Sequence, residues 1–371
     1  MHPLHREKLD AGDLAVQTWA QFVSAYRELN ARKLFWVALI LNAVVIGAVA
    51  AIGIDEKGIS IFGYALGIPG VNSRLFPDGK LYKLIITTVG VSFWLSWIST
   101  ILALLSTASM FPDLATGGVD TLLSKPIGRT RLLLTKFATG LLFTALQVSV
   151  FAVLAFLVLG IRGGVWEIGL FVVVPLMVVF FSYLFAVQAV VGLVTRSPIA
   201  SVIVACLFWI FVFLVHSGEQ FTLFGATASR LEIEGMEKKL ASLQTEEAKS
   251  GLAAKLEEQK ANDGNWRLAH GIFFAFKTVL PKTTETANLV ARELDVRVNN
   301  APADEEPQQD DENARRQRGF FRSQFVTEKK LSAEIQKEMD ARPVWWVVGT
   351  SFGFELALLG IGVWYFRRRD F

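Results

Sequence analysis

Six runs of mainly apolar residues, at about 34–54, 84–108, 137–160, 168–194, 198–217 and 344–366, constrain this chain more than any other feature. About 20 residues of helix cross the ~30 Å hydrocarbon layer of a bilayer, and only a helix or a closed barrel satisfies every backbone group there. Each run meets that length. The 371 residues are 52% hydrophobic with a mean hydropathy of +0.42, too apolar for an ordinary water-soluble domain of this size. The expectation is an all-α membrane protein built as a six-transmembrane-helix bundle. Pro175 is expected to kink the fourth span, and "TRSP" at 195–198 reads as a tight turn between the fourth and fifth.

Charge outside the spans sets their orientation. With the N-terminus inside, 13 Lys and Arg residues fall on the cytoplasmic side and five in the short outer loops, a bias that puts both termini in the cytoplasm. The setting this implies is a cytoplasmic (inner) membrane. The first 33 residues hold no apolar core of signal-peptide type, so the first run is expected to be a retained signal anchor. Within residues 1–33, "DLAVQTWAQFVSAYRELNARK" places Trp19, Phe22, Tyr26 and Leu29 on one helical face, which predicts an amphipathic interfacial helix on the membrane surface. The net charge of +3 follows the topology and forms no single basic face, so no nucleic-acid partner is expected.

Between the fifth and sixth spans, residues 218–342 carry 19 basic and 22 acidic residues, which marks a water-facing, mainly helical extracytoplasmic insertion. Ile233, Met236, Leu240 and Leu243 recur at helical spacing, with a break near Ser250 and Gly251. Leu331, Ile335 and Met339 predict a second helix leading into the last span, and the two are expected to pair as an antiparallel hairpin. The stretch near 299–318 is polar, charged and poor in large apolar residues, the composition of disorder. "HGIFFAFKTVLP" at 270–281 is too short to span and reads as an interfacial or re-entrant segment. Residues 343–371 are the last span with a basic cytoplasmic tail.

Chemistry-bearing residues are sparse. There is no GxxxxGK[ST] loop to hold ATP phosphates, no HExxH pair, no serine in a GxSxG setting and one cysteine, Cys206, in an apolar run. No catalytic or metal site is expected, and the chain is not read as an enzyme. Glu355, in "SFGFELALLG", is the only formal charge within a predicted span. A membrane carboxylate costs ~2.5 kcal/mol or more on insertion scales, so it needs a partner, a proton or a wet cavity. It is expected either to face the bundle interior or a dimer interface in a required role, or to sit as a protonated acid on a neighbouring hydroxyl. Gln147 and Gln188, with Asn42, are the bulkiest neutral polar groups in the spans. They read as interhelical glue worth ~0.6 kcal/mol each, or as substrate contacts. Gly349 and Gly353 form a GxxxG in the last span.

The turn between the second and third spans, within 111–136, reads "MFPDLATGGVDTLLSKPIGRTRLLLTK". Gly117 and Gly118 break the chain, Val119 to Ser124 form a short helix, Pro126 stops it, and Arg129 to Lys136 begin the third span. In this turn the chain resembles the type-2 ABC transporter permeases, in which a glycine-threonine or similar pair, a leucine dipeptide, Ser-Lys-Pro and an arginine three residues beyond the proline recur at this place. The matching residues are Gly118, Asp120, Leu122, Leu123, Ser124, Lys125, Pro126, Arg129 and Lys136, and the closing "RRRDF" resembles the family's common ending. "TGG" departs from relatives that carry an acidic residue before the glycine. The resemblance implies a permease subunit working in export, whose turn is a coupling helix docked on a separate cytoplasmic ATPase that binds ATP and Mg. It also implies pairing with a second copy or a related permease. Two other readings stand beside it: the basic turn as a topology signal alone, and the chain as a membrane-anchored scaffold or sensor with an extracytoplasmic coiled domain.

Overall fold

The computed structural model describes residues 11–31, 33–55, 58–61, 64–65, 79–115, 128–244, 246–294 and 326–368, which are almost entirely helical. After the N-terminal helix α1 (Ala11–Asn30) comes α2 (Lys33–Ala51), the first apolar helix. The second apolar helix, Lys80–Ala115, combines α3 (Lys80–Ile85), a π-helical stretch Ile86–Ser99, α4 (Thr100–Thr107) and the short α5 (Pro112–Ala115). The third is α6 (Arg129–Gly163), and the fourth joins a 3₁₀ turn, Ile168–Val172, to α7 (Val173–Thr195). Then follow α8 (Pro198–Ser242), α9 (Glu246–Val279), α10 (Thr283–Glu293), α11 (Glu328–Asp340) and α12 (Val344–Arg368).

Six of these are long and apolar enough to cross a membrane, the last two being α8 and α12. Along their apolar stretches the unburied faces are apolar as well. Helix α2 buries Phe35, Ala38, Asn42, Ile46 and Val49 at three- and four-residue spacing and leaves Trp36, Ile40 and Val44 exposed. A water-facing helix would carry charges there.

The all-α expectation needs one correction. The first apolar helix ends at Ala51, and residues 52–65 contain a small antiparallel sheet of β1 (Ile52–Asp55), β2 (Gly58–Ile61) and β3 (Tyr64–Ala65) in that order. Asp55 pairs with Gly58, which is the register of a tight hairpin. The cause is visible in "IGID" and "GISI", where β-branched isoleucines recur at every second position. Tyr82 donates its hydroxyl to Ile52 O at 2.7 Å, and Arg162 Nε donates to Ala50 O at 3.0 Å, so the junction of α2 with β1 is tied down on both sides.

Pro175 stands just after the fourth span passes from 3₁₀ to α-helix. It lies in the first turn of α7. The turn at 195–198 forms as expected: Arg196 takes a left-handed conformation with φ 55°, and Ser197 Oγ accepts the Ala200 N–H at 3.3 Å to cap α8.

Contacts divide the chain into two units. The first comprises Met1–Ile210, Thr283–Val298 and Phe352–Phe371; the second comprises Phe211–Lys282 and Asn299–Ser351. In the first, glycines admit aromatic rings: a Cβ on Gly90 would meet Phe151 at 2.7 Å, and one on Gly140 would strike the Phe185 ring. Phe35 and Phe143 pack at 4.6 Å and Trp97 stacks on Trp209 at 4.6 Å. Helix α10 also belongs here, burying Thr286, Ala287, Leu289 and Val290 against α7 and the π-helical stretch. By composition, "TTETANLVARE" looks polar and falls within the expected outer insertion. Its small threonines and alanines pack closely in spite of that composition.

In the second unit α8 and α9 run antiparallel, with Glu237 on Lys260, Ser229 on Gln259, Trp266 over Gly225 and Phe273 over Gly218. Helix α9 is thus an antiparallel partner of α8 that the sequence reading did not anticipate, while the expected partner, α11, packs on α8 as well. Helix α11 adds a third member through Leu331 on Ala228 and Leu231, and Arg230 bridges to Glu334 and Glu338 at 3.2 and 3.1 Å. The helix break falls after Ser242, not at Ser250 and Gly251. Gly251 is exposed within α9, where it costs about 1 kcal/mol relative to alanine, less than ending a helix that packs along its length. The 270–281 run is the end of that same helix. The region near 299–318 lies outside the described residues.

Candidate functional site

Gly118, Asp120, Leu122, Leu123, Ser124, Lys125 and Pro126 of the expected coupling segment lie outside the described residues; their flanks do not. On one side Phe111, Leu114 and Ala115 are buried, and a Cβ on Gly192 of α7 would meet Pro112 Cδ at 2.9 Å. Phe111 also packs on Phe185 at 5.2 Å. On the other side Arg129 opens α6 half-buried, Lys136 is buried, and Leu132 and Leu133 enter the core. Arg131 Nη2 donates to Gln17 Oε1 at 2.7 Å, tying α1 to the base of α6. Both flanks are thus wedged into apolar helices.

The interior of the first unit holds the three intramembrane candidates, and it separates them into two places. Glu355 is buried, and Ser182 Oγ of α7 lies 2.7 Å from its Oε2. The same hydroxyl lies 2.8 Å from Val179 O. One hydroxyl proton cannot serve both acceptors at once, and a proton on the carboxyl completes the set. The bundle-interior and neighbouring-hydroxyl expectations for Glu355 therefore describe the same geometry.

Gln147 and Gln188 belong to a second group. Gln147 Nε2 donates to Ser99 Oγ at 2.8 Å, and its backbone carbonyl accepts from Asn42 Nδ2 at 3.1 Å. Asn42 Oδ1 in turn accepts from Trp94 Nε1 at 2.6 Å. The first three apolar helices are linked through this chain of bonds. Gln188 Nε2 donates to Leu104 O at 2.8 Å. The Oε1 atoms of Gln147 and Gln188 are buried and have no partner among the described residues, so both retain capacity to accept a proton donor.

Trp94 and Ser99 are missed by sequence reasoning, and both lie in the π-helical stretch, a form that is rare and tends to mark functional sites. Ser96 and Thr100 hydroxyls donate to carbonyls five residues back, Val91 O and Leu95 O, each at 2.9 Å. The signal that could have found them is Asn42 itself, since a buried amide in an apolar run demands a donor on a neighbouring helix.

Sequence reasoning also misses a buried ion cluster in the second unit. Glu219 is fully buried; Lys277 Nζ meets its Oε2 at 2.6 Å, Arg342 Nη2 meets its Oε1 at 2.5 Å, and His270 Nε2 lies 3.3 Å from Oε1. Lys282, also fully buried, donates to the carbonyls of Lys277, Thr278 and Leu280 at 3.1–3.3 Å, and so caps the end of α9. Its ammonium lies 4.5 Å from the Trp346 ring centre. Nearby, a cleft of about 270 Å³ is lined by Leu223, Arg230, Arg267, His270 and Glu338. Arg230 is already bridged by Glu334 and Glu338, and Arg267 by Asp263, so neither arginine presents an uncompensated charge to a ligand.

Among the described residues no group of three or more His, Cys, Asp or Glu is placed to hold a metal. Comparison of the chain with protein-family models, with curated proteins and with solved structures gave no match.

Proposed function

We propose that the chain is the transmembrane permease subunit of an ABC transporter, with both termini in the cytoplasm and a separate ATPase subunit that binds ATP and Mg. The observation that carries this reading is the "LLSKPIGR" turn at 122–129, placed between the second and third of six membrane-length helices and wedged on both flanks. ATPase closure would push on residues 116–127. The push passes to the second apolar helix through Pro112–Ala115 and to the third through residues 129–136, moving them as rigid bodies. The polar chain through Asn42, Trp94, Ser99 and Gln147 links helices moved by this push, and pairing with a second copy or a related permease would complete a pathway for export.

A membrane-anchored scaffold or sensor is the second reading. It is favoured by the 45- and 34-residue lengths of α8 and α9, which carry a helical hairpin well past the apolar run. The test is co-purification of an ATPase with the tagged chain from its native host, comparing wild type with the double change Leu122→Asp, Leu123→Asp. An ATPase held by the wild type and released by the double change supports the permease. Correctly inserted wild type that retains no ATPase moves the reading to the scaffold.

A further inference from the structure

The exposed surface of α9 changes character within one turn. From residue 254 to 267 its exposed large side chains are Lys255, Glu257, Glu258, Lys260, Asn262, Asn265 and Arg267, all polar. From 268 to 279 they are Leu268, Ile272, Phe274, Phe276 and Val279, all apolar, and four of them are 50–71% exposed. Over the same stretch the buried side carries a charge, since Lys277 points inward onto Glu219. Apolar outside and charged inside is the reverse of a helix in water.

Its two neighbours change at the same level. On α8 the exposed large residues run from Phe211, Leu214 and Phe221 to Arg230, across the point where Trp266 covers Gly225. On the third member of the arrangement, Gln336 and Lys337 are exposed on α11, followed by Ala341, Pro343, Val344 and Trp345. Three packed helices thus share one boundary. From Pro198 to Gly225, α8 is about 28 residues or ~42 Å long. That equals the ~40–45 Å of a bilayer with its interfacial layers. The tryptophan at the boundary is the residue type enriched there.

We infer that residues 268–279 of α9 are immersed in the leaflet through which α8 leaves the membrane, their exposed face covered by lipid acyl chains, with Glu219, Lys277 and Arg342 forming an ion cluster at membrane depth. Immersion requires that every charge be paired and every carbonyl at a helix end be bonded internally. Glu219, held by Lys277 and Arg342 together, gives both cations a carboxylate contact, and Lys282 on the last carbonyls of α9 meets the second demand. The insertion between the fifth and sixth apolar helices is thus anchored by a third, partial membrane segment. This inference rests on the apolar helices crossing a bilayer and is independent of any ATPase partner.

The test uses single cysteines at Lys255, Glu258, Leu268, Ile272, Phe276 and Val279 in a Cys206→Ala background, spin-labelled and reconstituted into phosphatidylcholine vesicles. All six positions are exposed, so the labels disturb little packing, and several positions keep the reading secure if one variant fails to insert. Collisions with oxygen, which partitions into lipid, are compared with those of a water-soluble nickel chelate. The expected result is nickel access at 255 and 258, a crossover near 268, and oxygen access with nickel excluded at 272, 276 and 279. Nickel reaching 276 and 279 as freely as 258 overturns the inference. Exclusion of both agents at 272–279 also overturns it, because protein and not acyl chains would then cover the face.

Discussion

Changing Glu219 to Gln removes the one negative charge between two enclosed cations while keeping nearly the same volume. Lys277 Nζ and Arg342 Nη2 bind opposite oxygens of the carboxylate, at 2.6 and 2.5 Å. They therefore lie about 7 Å apart at most, where an effective dielectric near 20 gives a repulsion of ~2–3 kcal/mol. In the native protein that repulsion is more than offset by two contacts to the carboxylate. Without it, both cations stay enclosed, and breaking a buried pair by removing one partner costs about 3–5 kcal/mol. The loss should appear as a lowered unfolding midpoint in detergent-solubilised protein. Combining Lys277→Met with Glu219→Gln leaves Arg342 as the one remaining cation of the two that contacted Glu219, and should recover about 1–3 kcal/mol of the loss, a coupling expected of groups in direct contact. An E219Q protein that unfolds within ~0.5 kcal/mol of wild type, or a double variant no more stable than the single, would refute the claim that electrostatic pairing holds this junction.

Two further expectations concern the first unit. Trp94→Phe removes the donor to Asn42 Oδ1 with both groups buried, so a loss of about 1–3 kcal/mol is expected, and adding Asn42→Leu should restore part of it. Unfolding of the phenylalanine variant at the wild-type midpoint would show that this bond is not what joins the first two apolar helices. Glu355→Gln preserves volume and hydrogen bonding to Ser182, so folding should be unchanged; under the proposed permease reading, ATP turnover of a complex with the ATPase in vesicles should fall, and unchanged turnover would reduce Glu355 to helix packing.

What could be read from the chain follows from which forces leave a local trace. Apolar runs in lipid are long, continuous and independent of their neighbours, so all six apolar helices were legible, with boundaries displaced where a competing local preference intervened. At residues 52–55 that preference was alternating isoleucine, which favours pairing over helix. At Gly251 the competition went the other way, because tertiary packing along α8 outweighed a helix breaker. Helix α10 was illegible for a different reason: its buried face is rich in threonine and alanine, residues whose hydropathy says nothing about a close fit.

The partners of a charge in an apolar environment leave no trace in a local window. Glu219 stands two residues past an apolar run and Lys277 inside a second one, 58 residues apart, with Arg342 another 65 residues on, and each alone reads as the edge of a loop. Only when α8 folds back against α9 do they become one cluster around a shared carboxylate. The short run at 270–281 did carry a usable sign, since an apolar stretch too brief to span yet containing lysine needs either water on one face or an internal partner for the ammonium. The structure supplies the partner, and that choice is what frees the opposite face, Ile272, Phe276 and Val279, to meet lipid. Pairing the charge and immersing the helix are therefore a single event: if Lys277 lost its carboxylate it would have to turn outward, and the apolar stripe could no longer remain in the bilayer at that depth.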